Sequence, residues 1–235
     1  MSSSSSVTWT AHLRIICQMY HLPDPLALMS GQLWPKEKWK QLVRSRVITH
    51  TEIKWREKAA KNSKLKYLNV QTTGLTGRVH PVVSGILSTQ EVVRARVHVR
   101  MLAGDFPCYA HIATDRNSDP ACRLCRYLSP ERPAPTEDMT HLLVMCRATA
   151  ETRTRLLPEL LNIIAAQSPN NDILNNPNHT NLAQLILDPT SLNLPPSVRI
   201  GPDHPGLPQL LPMCRTVCYA VYKDRLRQLK QSGLK

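Results

Sequence analysis

Four residues between Cys122 and Cys146 have the types and the spacing of a metal site. The segment reads C-x2-C, then fifteen residues, then His141, four residues and Cys146. A C-x2-C turn can direct two sulfurs at one ion, and an H-x4-C pair can complete the shell from a helix. We therefore predict that Cys122, Cys125, His141 and Cys146 bind Zn2+. The alternative is that the thiols are reduced and buried and that His141 merely caps a helix.

The loop between the two ligand pairs indicates why a metal would be needed. Residues 129–136 include three prolines, and the loop as a whole has few apolar side chains to form a core. A closed four-ligand site contributes folding free energy and leaves no position for hydrolytic chemistry. We expect His141 to bind through one ring nitrogen while a carbonyl, or a carboxylate such as Glu137 or Asp138, holds the other nitrogen.

The composition predicts a mainly α protein built from helical segments around a small CCHC zinc-stapled module, with Pro/Asn-rich linkers. A chain of 235 residues with 42% hydrophobic residues can form one large or two small domains. Nineteen prolines indicate a loop-rich molecule, and eight glycines argue against a barrel with many tight turns. No apolar run approaches the roughly 20 residues that a membrane crossing requires.

The chain divides by pattern into five regions. These are a disordered N-terminus (1–6), a basic helical region (7–87), a helix with the zinc module and its following helix (88–167), an Asn/Pro-rich linker with a short helix (168–206), and a C-terminal helix (207–235). We also predict a short helix ending at Met29 and a mostly extended chain over 189–208.

The sequence patterns of two predicted helices differ in clarity. The segment after Ser88 alternates valine or alanine with arginine or histidine, as a half-buried strand does, but Ser88 and Glu91 form a capping-box pattern and Gly104 follows. We predict a helix there. The C-terminal helix has a clear apolar face, which comprises Leu210, Leu211, Cys214, Val217, Cys218 and Val221.

The net charge of +13 and the pI near 9.7 favour a polyanionic partner, RNA or DNA, with an anionic membrane surface as the alternative. Residues 1–104 have sixteen Lys/Arg and five acids, whereas residues 105–160 have seven and eight. Backbone contact is therefore predicted on the basic helices before the zinc segment, where Trp39 and Trp55 lie among the cations. The predicted contact residues are Lys36, Lys38, Lys40, Arg44, Arg46, Lys54, Arg56, Lys58, Arg94, Arg96 and Arg100.

The N-terminal residues lack the pattern of a secretory signal. The seven cysteines are accordingly expected to be thiols and metal ligands rather than disulfides. We expect a nuclear or cytoplasmic protein that is not secreted and has neither a membrane nor a small-molecule substrate as its partner.

Several motifs together resemble the region downstream of the polymerase domain in non-LTR (LINE-type) retrotransposon polyproteins. They are the segment VRARVHVRMLAG, the Cys122-Arg-Leu-Cys125 pair, Glu137-Asp-Met-Thr-His141-Leu-Leu, Cys146 and the arginines of Ala150-Glu-Thr-Arg-Thr-Arg155. The flanks Met19-Tyr-His-Leu-Pro-Asp-Pro25 and Ile186-Leu-Asp-Pro189 are also similar. The resemblance implies a zinc-knuckle-like module that holds nucleic acid while the polymerase works.

The resemblance does not extend to catalysis. A polymerase needs paired aspartates to hold two metal ions, and the sequence contains no Asp-Asp dipeptide. A restriction-like endonuclease needs an acid-x-Lys after its first acid, and none follows Asp203. The spacing of Asp24 and Glu52-Ile-Lys54 fits, but both lie in predicted helical segments. We expect a non-enzymatic nucleic-acid-binding fragment, and the alternative is a zinc-stabilised protein-interaction or relic scaffold.

Overall fold

Helices provide nearly all of the regular structure, as the sequence predicts. The computed structural model describes residues 9–24, 34–62, 65–68, 79–108 and 119–234. The helices are α1 (Trp9–Met19), α2 (Lys36–Lys61), α3 (Thr89–Leu102), α4 (Arg123–Leu128), α5 (Ala150–Gln167), α6 (Asp172–Asn175), α7 (His179–Leu187) and α8 (Leu207–Gln231). Single turns of 3-10 helix span Pro81–Val83 and Arg147–Thr149, and a π-helical turn spans His141–Met145. The N-terminal residues 1–6 and the short helix predicted up to Met29 lie outside the described residues.

The described residues fall into two compact units that divide near Lys61, earlier than the boundary at residue 87 that the pattern suggested. The first unit contains α1 and α2, and the second contains the helices from α3 onward. None of the helices in the described part of the chain has both the length and the apolar character that a bilayer crossing requires.

The long helix α2 of the first unit has one half-buried face and one basic face. The residues predicted to share the apolar face are all half-buried, namely Trp39, Leu42, Val43, Val47 and Trp55. Most of the lysines and arginines between them are exposed. This is the helical periodicity expected for an amphipathic segment.

The local signals at the two ends of α3 decide its conformation. The Ser88 hydroxyl accepts the Glu91 N–H (3.2 Å), and the Glu91 carboxylate accepts the Leu87 N–H (3.1 Å). Gly104 follows the helix with φ of +65°, a conformation that costs little without a side chain. The prediction of a helix rather than a strand is therefore confirmed. The buried residues of α3 are Ala95, His98, Met101 and Leu102, which follow a helical repeat.

The C-terminal helix α8 lies at the centre of the second unit, where α3, α5 and α7 pack against it. All six residues of its predicted apolar face are at most 3% exposed. Helix α5 also contributes to this core through Leu156, Leu160 and Ile164, and it continues through Pro158 without ending there.

The Asn/Pro-rich connection 168–206 packs on this core. Residues 189–206 form successive turns and α8 begins at Leu207, so the prediction of a mostly extended chain over 189–208 is wrong. Its apolar residues are buried with the helices, among them Ile173, Leu182, Leu194, Val198 and Ile200. Several of its polar residues bond backbone groups. Asn171 caps α6 and donates to the Val198 carbonyl (2.9 Å), and Asn178 caps α7. Because these turns satisfy their own backbone groups, the apolar residues between them can be buried.

Candidate metal centre

A short antiparallel pairing brings the first ligand pair beside the second. Residues 120–122 pair with residues 135–137 through a single β-bridge, and the Cys122 N–H donates to the Pro135 carbonyl (2.8 Å). The proline-containing loop is closed by this bridge. Helix α4 begins immediately after Cys122, so that Cys122 and Cys125 lie on one turn with their sulfurs on the same side.

The second ligand pair is positioned by the π-helical turn. The Asp138 carboxylate accepts the His141 N–H (2.8 Å) and so caps this turn. The Cys146 N–H donates to the His141 carbonyl (2.7 Å), which is the bond between residues five apart that defines a π-helix. The H-x4-C spacing therefore places both side chains on one face.

The structure brings the four predicted ligands together in a buried cluster. One ligand atom from each residue lies within 4.8 Å of the others, and the four residues are at most 4% exposed. Cys146 Sγ lies 3.9 Å from Cys122 Sγ and 3.8 Å from Cys125 Sγ, and His141 Nε2 lies 3.4 Å from Cys125 Sγ. Three soft sulfurs and one imidazole nitrogen at these separations can hold one metal ion.

Backbone amides point at the sulfurs and favour their ionised forms. The N–H groups of Cys125, Arg147 and Ala148 donate to the sulfurs of Cys122, Cys125 and Cys146, respectively. Hydrogen bonding from Cys122 and the neighbouring imidazole lower the pKa of Cys146 to about 4. The hydrogen bond to Cys146 and burial raise the pKa of Cys122, and burial raises the pKa of Cys125. The hydrogen bond between Cys122 and Cys146 therefore favours a thiolate on one of these two residues while the other keeps its proton.

Arg153, one of the two arginines of the segment Ala150–Arg155, lies beside the cluster. Its guanidinium donates to the Cys146 carbonyl and to the Thr149 hydroxyl (2.7 Å). Burial lowers the pKa of Arg153, while the charges of Cys146 and Cys125 act in the opposite direction. A positive group at this place offsets the negative charge of the sulfurs.

We expected a carbonyl, or a carboxylate such as Glu137 or Asp138, to hold the second nitrogen of His141, and neither carboxylate does so. Nδ1 of His141 is buried and has no hydrogen-bond partner within the described residues. Asp138 bonds the backbone N–H instead, and Glu137 forms a buried ion pair with Arg225 (2.7 Å).

The Glu137–Arg225 pair and two leucines join the metal cluster to the C-terminal helix. Arg225 is 5% exposed and Glu137 is fully buried, and Arg225 also donates to the Pro107 carbonyl (3.2 Å). Leu229 and Leu234 pack against the small core that contains the three cysteine ligands. No local pattern could reveal Arg225, because its partner lies 88 residues earlier in the chain.

The predicted nucleic-acid contacts on α2 are largely exposed. Lys40 pairs with Glu37 (3.1 Å), and Lys54 approaches Glu57 (3.8 Å). Arg56 is half-buried and paired with Glu52. The remaining predicted cations of α2 have no carboxylate partner within the described residues, namely Lys36, Lys38, Arg44, Arg46 and Lys58.

The predicted contacts on α3 belong to the second unit, and they differ in their exposure and in their bonding partners. Arg94 is half-buried and donates to the Thr216 hydroxyl (3.2 Å), Arg96 is exposed, and Arg100 pairs with Asp105 (3.4 Å). The eleven predicted residues thus divide between the two units.

The core of the second unit contains polar groups that the sequence did not reveal. His98 is fully buried, and its Nε2 lies 2.8 Å from the Leu187 carbonyl. Burial lowers the pKa of His98 to about 4. Arg215 is 1% exposed and donates to the carbonyls of Val82 (3.0 Å) and Ser84 (3.2 Å). These groups join α3, α7, α8 and the turn at residues 81–83.

The cysteines Cys214 and Cys218 pack in the core on α8, which agrees with the interpretation of both as small apolar residues. Burial raises the pKa of Cys214 to about 12 and also raises the pKa of Cys218 well above its ordinary value.

Comparisons of the chain with protein-family models, with curated proteins and with solved structures found no match.

Proposed function

We propose that the chain is a zinc-stapled module that binds the backbone of RNA or DNA and belongs to a non-LTR retroelement polyprotein, without catalysis of its own. The geometry of the Cys3His cluster supports the zinc-binding part of this proposal. A tetrahedron with Zn–S of about 2.3 Å and Zn–N of about 2.0 Å has S···S edges of about 3.8 Å and S···N edges of about 3.5 Å. Three of the six separations are 3.8 and 3.9 Å for sulfur pairs and 3.4 Å for sulfur to nitrogen, and all six lie within 4.8 Å.

The proposed zinc ion has a structural role. Four protein ligands fill a tetrahedral shell, so that no position remains for water or substrate. Three thiolates and one Zn2+ have a net charge of −1, which Arg153 offsets. The ion holds the loop that precedes His141 against Cys122, and the Glu137–Arg225 pair joins that loop to α8.

Nucleic-acid binding is supported by the distribution of charge. The exposed cations of α2 without carboxylate partners are free to neutralise phosphates, and each neutralised phosphate releases counterions. The metal-bearing segment is nearly neutral overall and several of its arginines are paired, for example Arg126 with Asp119. We therefore place non-specific phosphate contact on α2 rather than on the metal loop.

Fluorescence polarisation with a labelled RNA and a labelled DNA duplex, at a series of salt concentrations, tests this proposal. The logarithm of affinity should fall linearly with the logarithm of salt concentration. Arg44→Gln combined with Arg46→Gln should reduce the slope by about 1.5, because each lost contact contributes about 0.7–0.9. Arg123→Gln combined with Arg126→Gln removes the same charge and should change the slope less. Absent binding at low salt, or the opposite ranking of the two variants, contradicts the proposal.

A zinc-stabilised protein-interaction scaffold is the second candidate, and one observation favours it. Near the start of α3, Leu87 is 92% exposed, Val92 54% and Val93 44%. Adjacent exposed apolar side chains are typical of protein contacts. If the chain holds zinc but binds neither nucleic acid, the scaffold is the better description.

A further inference from the structure

A cleft of about 680 Å³ lies between α3, α5 and α8 in the second unit. It contains none of the metal ligands and none of the α2 cations. Helix α3 contributes Arg94, helix α5 contributes Glu151 and Arg155, and helix α8 contributes Tyr219 and Lys223. Of these residues, the pattern of the sequence singled out only Arg94 as a nucleic-acid contact.

The charged groups of the cleft leave positive charge available to a ligand. Its lining contains four cations and two carboxylates. One of the carboxylates, Asp224, is buried and already engaged, since it accepts the Thr152 hydroxyl (2.7 Å) and the Arg227 guanidinium. Within the described part of the chain, neither Arg155 nor Lys223 takes part in an ion pair. Three cations therefore remain opposite the exposed carboxylate of Glu151.

Two of the cationic side chains are organised by neighbouring groups. The Arg94 guanidinium donates to the Thr216 hydroxyl (3.2 Å), which fixes its position in the wall of the cleft. The Lys223 ammonium lies 5.8 Å from the centre of the Tyr219 ring. The Tyr219 side chain is half-buried, so part of its ring is open to the cleft.

The Tyr219 ring among the cations of the cleft favours an anionic ligand that also has flat aromatic groups. Proteins that bind single-stranded nucleic acid combine a positive groove for the phosphates with aromatic rings on which bases stack. In a duplex the bases are stacked on one another and do not reach such a ring. An acidic peptide would use the cations but has no base for the tyrosine.

We propose that this cleft binds a segment of single-stranded nucleic acid, with phosphates at Arg94, Arg155 and Lys223 and a base stacked on Tyr219. The inference rests on the proposed nucleic-acid function and assigns it a second contact surface, in the unit that also contains the metal cluster.

The test measures the affinity of the full chain for a labelled single-stranded oligonucleotide and for inorganic polyphosphate, which has phosphates but no bases. Tyr219→Ala should weaken oligonucleotide binding about 5- to 150-fold, the effect of losing one stacked base, and should leave polyphosphate binding unchanged. Arg155→Gln combined with Lys223→Gln should weaken the binding of both ligands. The zinc content and the circular dichroism of each variant verify that it is folded.

A matched control removes the same charge from the same unit. Arg126→Gln combined with Arg132→Gln alters two exposed arginines that are already paired, with Asp119 and Glu131. If the variant at Arg155 and Lys223 binds like this control, or if Tyr219→Ala binds the oligonucleotide like the wild type, the cleft is not the site although the proposed function stands. If polyglutamate binds as tightly as the oligonucleotide, the assignment to single strands is overturned. If the wild type binds no nucleic acid, both the proposed function and the cleft site fail.

Discussion

Replacing Cys125 by serine should weaken metal binding by the chain without removing the fold of its helical core. Cys125 Sγ lies 3.8 Å from Cys146 Sγ and 3.4 Å from His141 Nε2, so it is close enough to both to share one metal ion with them. A serine hydroxyl is a harder ligand than a thiolate and stays protonated at neutral pH. The shell of Cys125→Ser therefore retains three ligands.

The expected loss of zinc affinity follows from the number of ligands. Structural zinc binding is worth about 10–16 kcal/mol in apparent free energy, and an equal share for each of the four ligands is about 2.5–4 kcal/mol. The loss of one share raises the Kd by about 10²- to 10³-fold. At free zinc about 1,000-fold above the Kd, the bound metal adds about 4 kcal/mol to the free energy of unfolding. For a unit of this size, that corresponds to about 8–16 °C in Tm.

Native mass spectrometry and competition with a chelator of known affinity measure these effects. The wild type should contain one zinc per chain, and a strong chelator should lower its Tm by the amount above while having little effect on Cys125→Ser. Cys218→Ala is the matched control, because Cys218 is equally buried but lies on α8 outside the cluster. That variant should lose stability and still bind one zinc.

Three results would refute the reasoning. The wild type could contain no metal, Cys125→Ser could bind zinc with the wild-type affinity, or Cys218→Ala could lose its zinc as readily as Cys125→Ser. The third result would mean that metal loss reports general destabilisation rather than the loss of a ligand.

Three further predictions concern stability. Glu137→Gln should cost about 3–5 kcal/mol in urea unfolding, because the buried Arg225 loses its carboxylate, whereas Glu137→Leu with Arg225→Met should recover most of the loss. The pKa of His98 is lowered to about 4 in the folded chain, below the ordinary value near 6.5. The stability that the neutral ring contributes is therefore complete above pH 6.5, and the free energy of unfolding should fall by about 3 kcal/mol as the pH falls to 4. His98→Gln should flatten this pH dependence. In thermal unfolding, Gly206→Ala should cost about 1–3 kcal/mol, because its Cβ would lie 2.5 Å from a side chain of α5.

Each of these predictions has an internal comparison. For the ion pair, the expected loss assumes that an unpaired buried charge costs more than an apolar pair in the same place. A double variant that is no more stable than Glu137→Gln would contradict this assumption. For the buried histidine, parallel pH curves of the wild type and His98→Gln would show that other groups govern the acid transition. Gly201→Ala is the control for Gly206→Ala, because nothing lies within 4 Å of the added carbon. Equal effects of the two glycine substitutions would exclude the steric explanation.

Much of the local structure could be predicted because its causes lie within a few residues. The capping box at Ser88 and Glu91 decided between helix and strand for α3, since hydrogen bonds across one turn depend on adjacent side chains. The ligand set is also local, because a helical turn joins Cys122 to Cys125 and a π-helical turn joins His141 to Cys146. The spacing of the residues was sufficient to predict both ligand pairs.

The Asn/Pro-rich connection shows where composition misleads. Its asparagines and prolines indicate turns, and the structure contains these turns. Composition does not reveal that Leu194, Val198 and Ile200 between them are buried. Whether such residues are exposed depends on the helices against which they pack.

The sequence by itself determined the helices, the apolar face of α8 and the group of four possible metal ligands, since each of these follows from a short-range repeat or spacing. Only the tertiary structure decided which charged side chains are buried and which share a surface. Arg225 meets Glu137 across 88 residues of chain, and the cations of the cleft come from three separate helices. Such contacts depend on how whole helices pack, because residues far apart in the chain have no fixed separation until the core between them is complete.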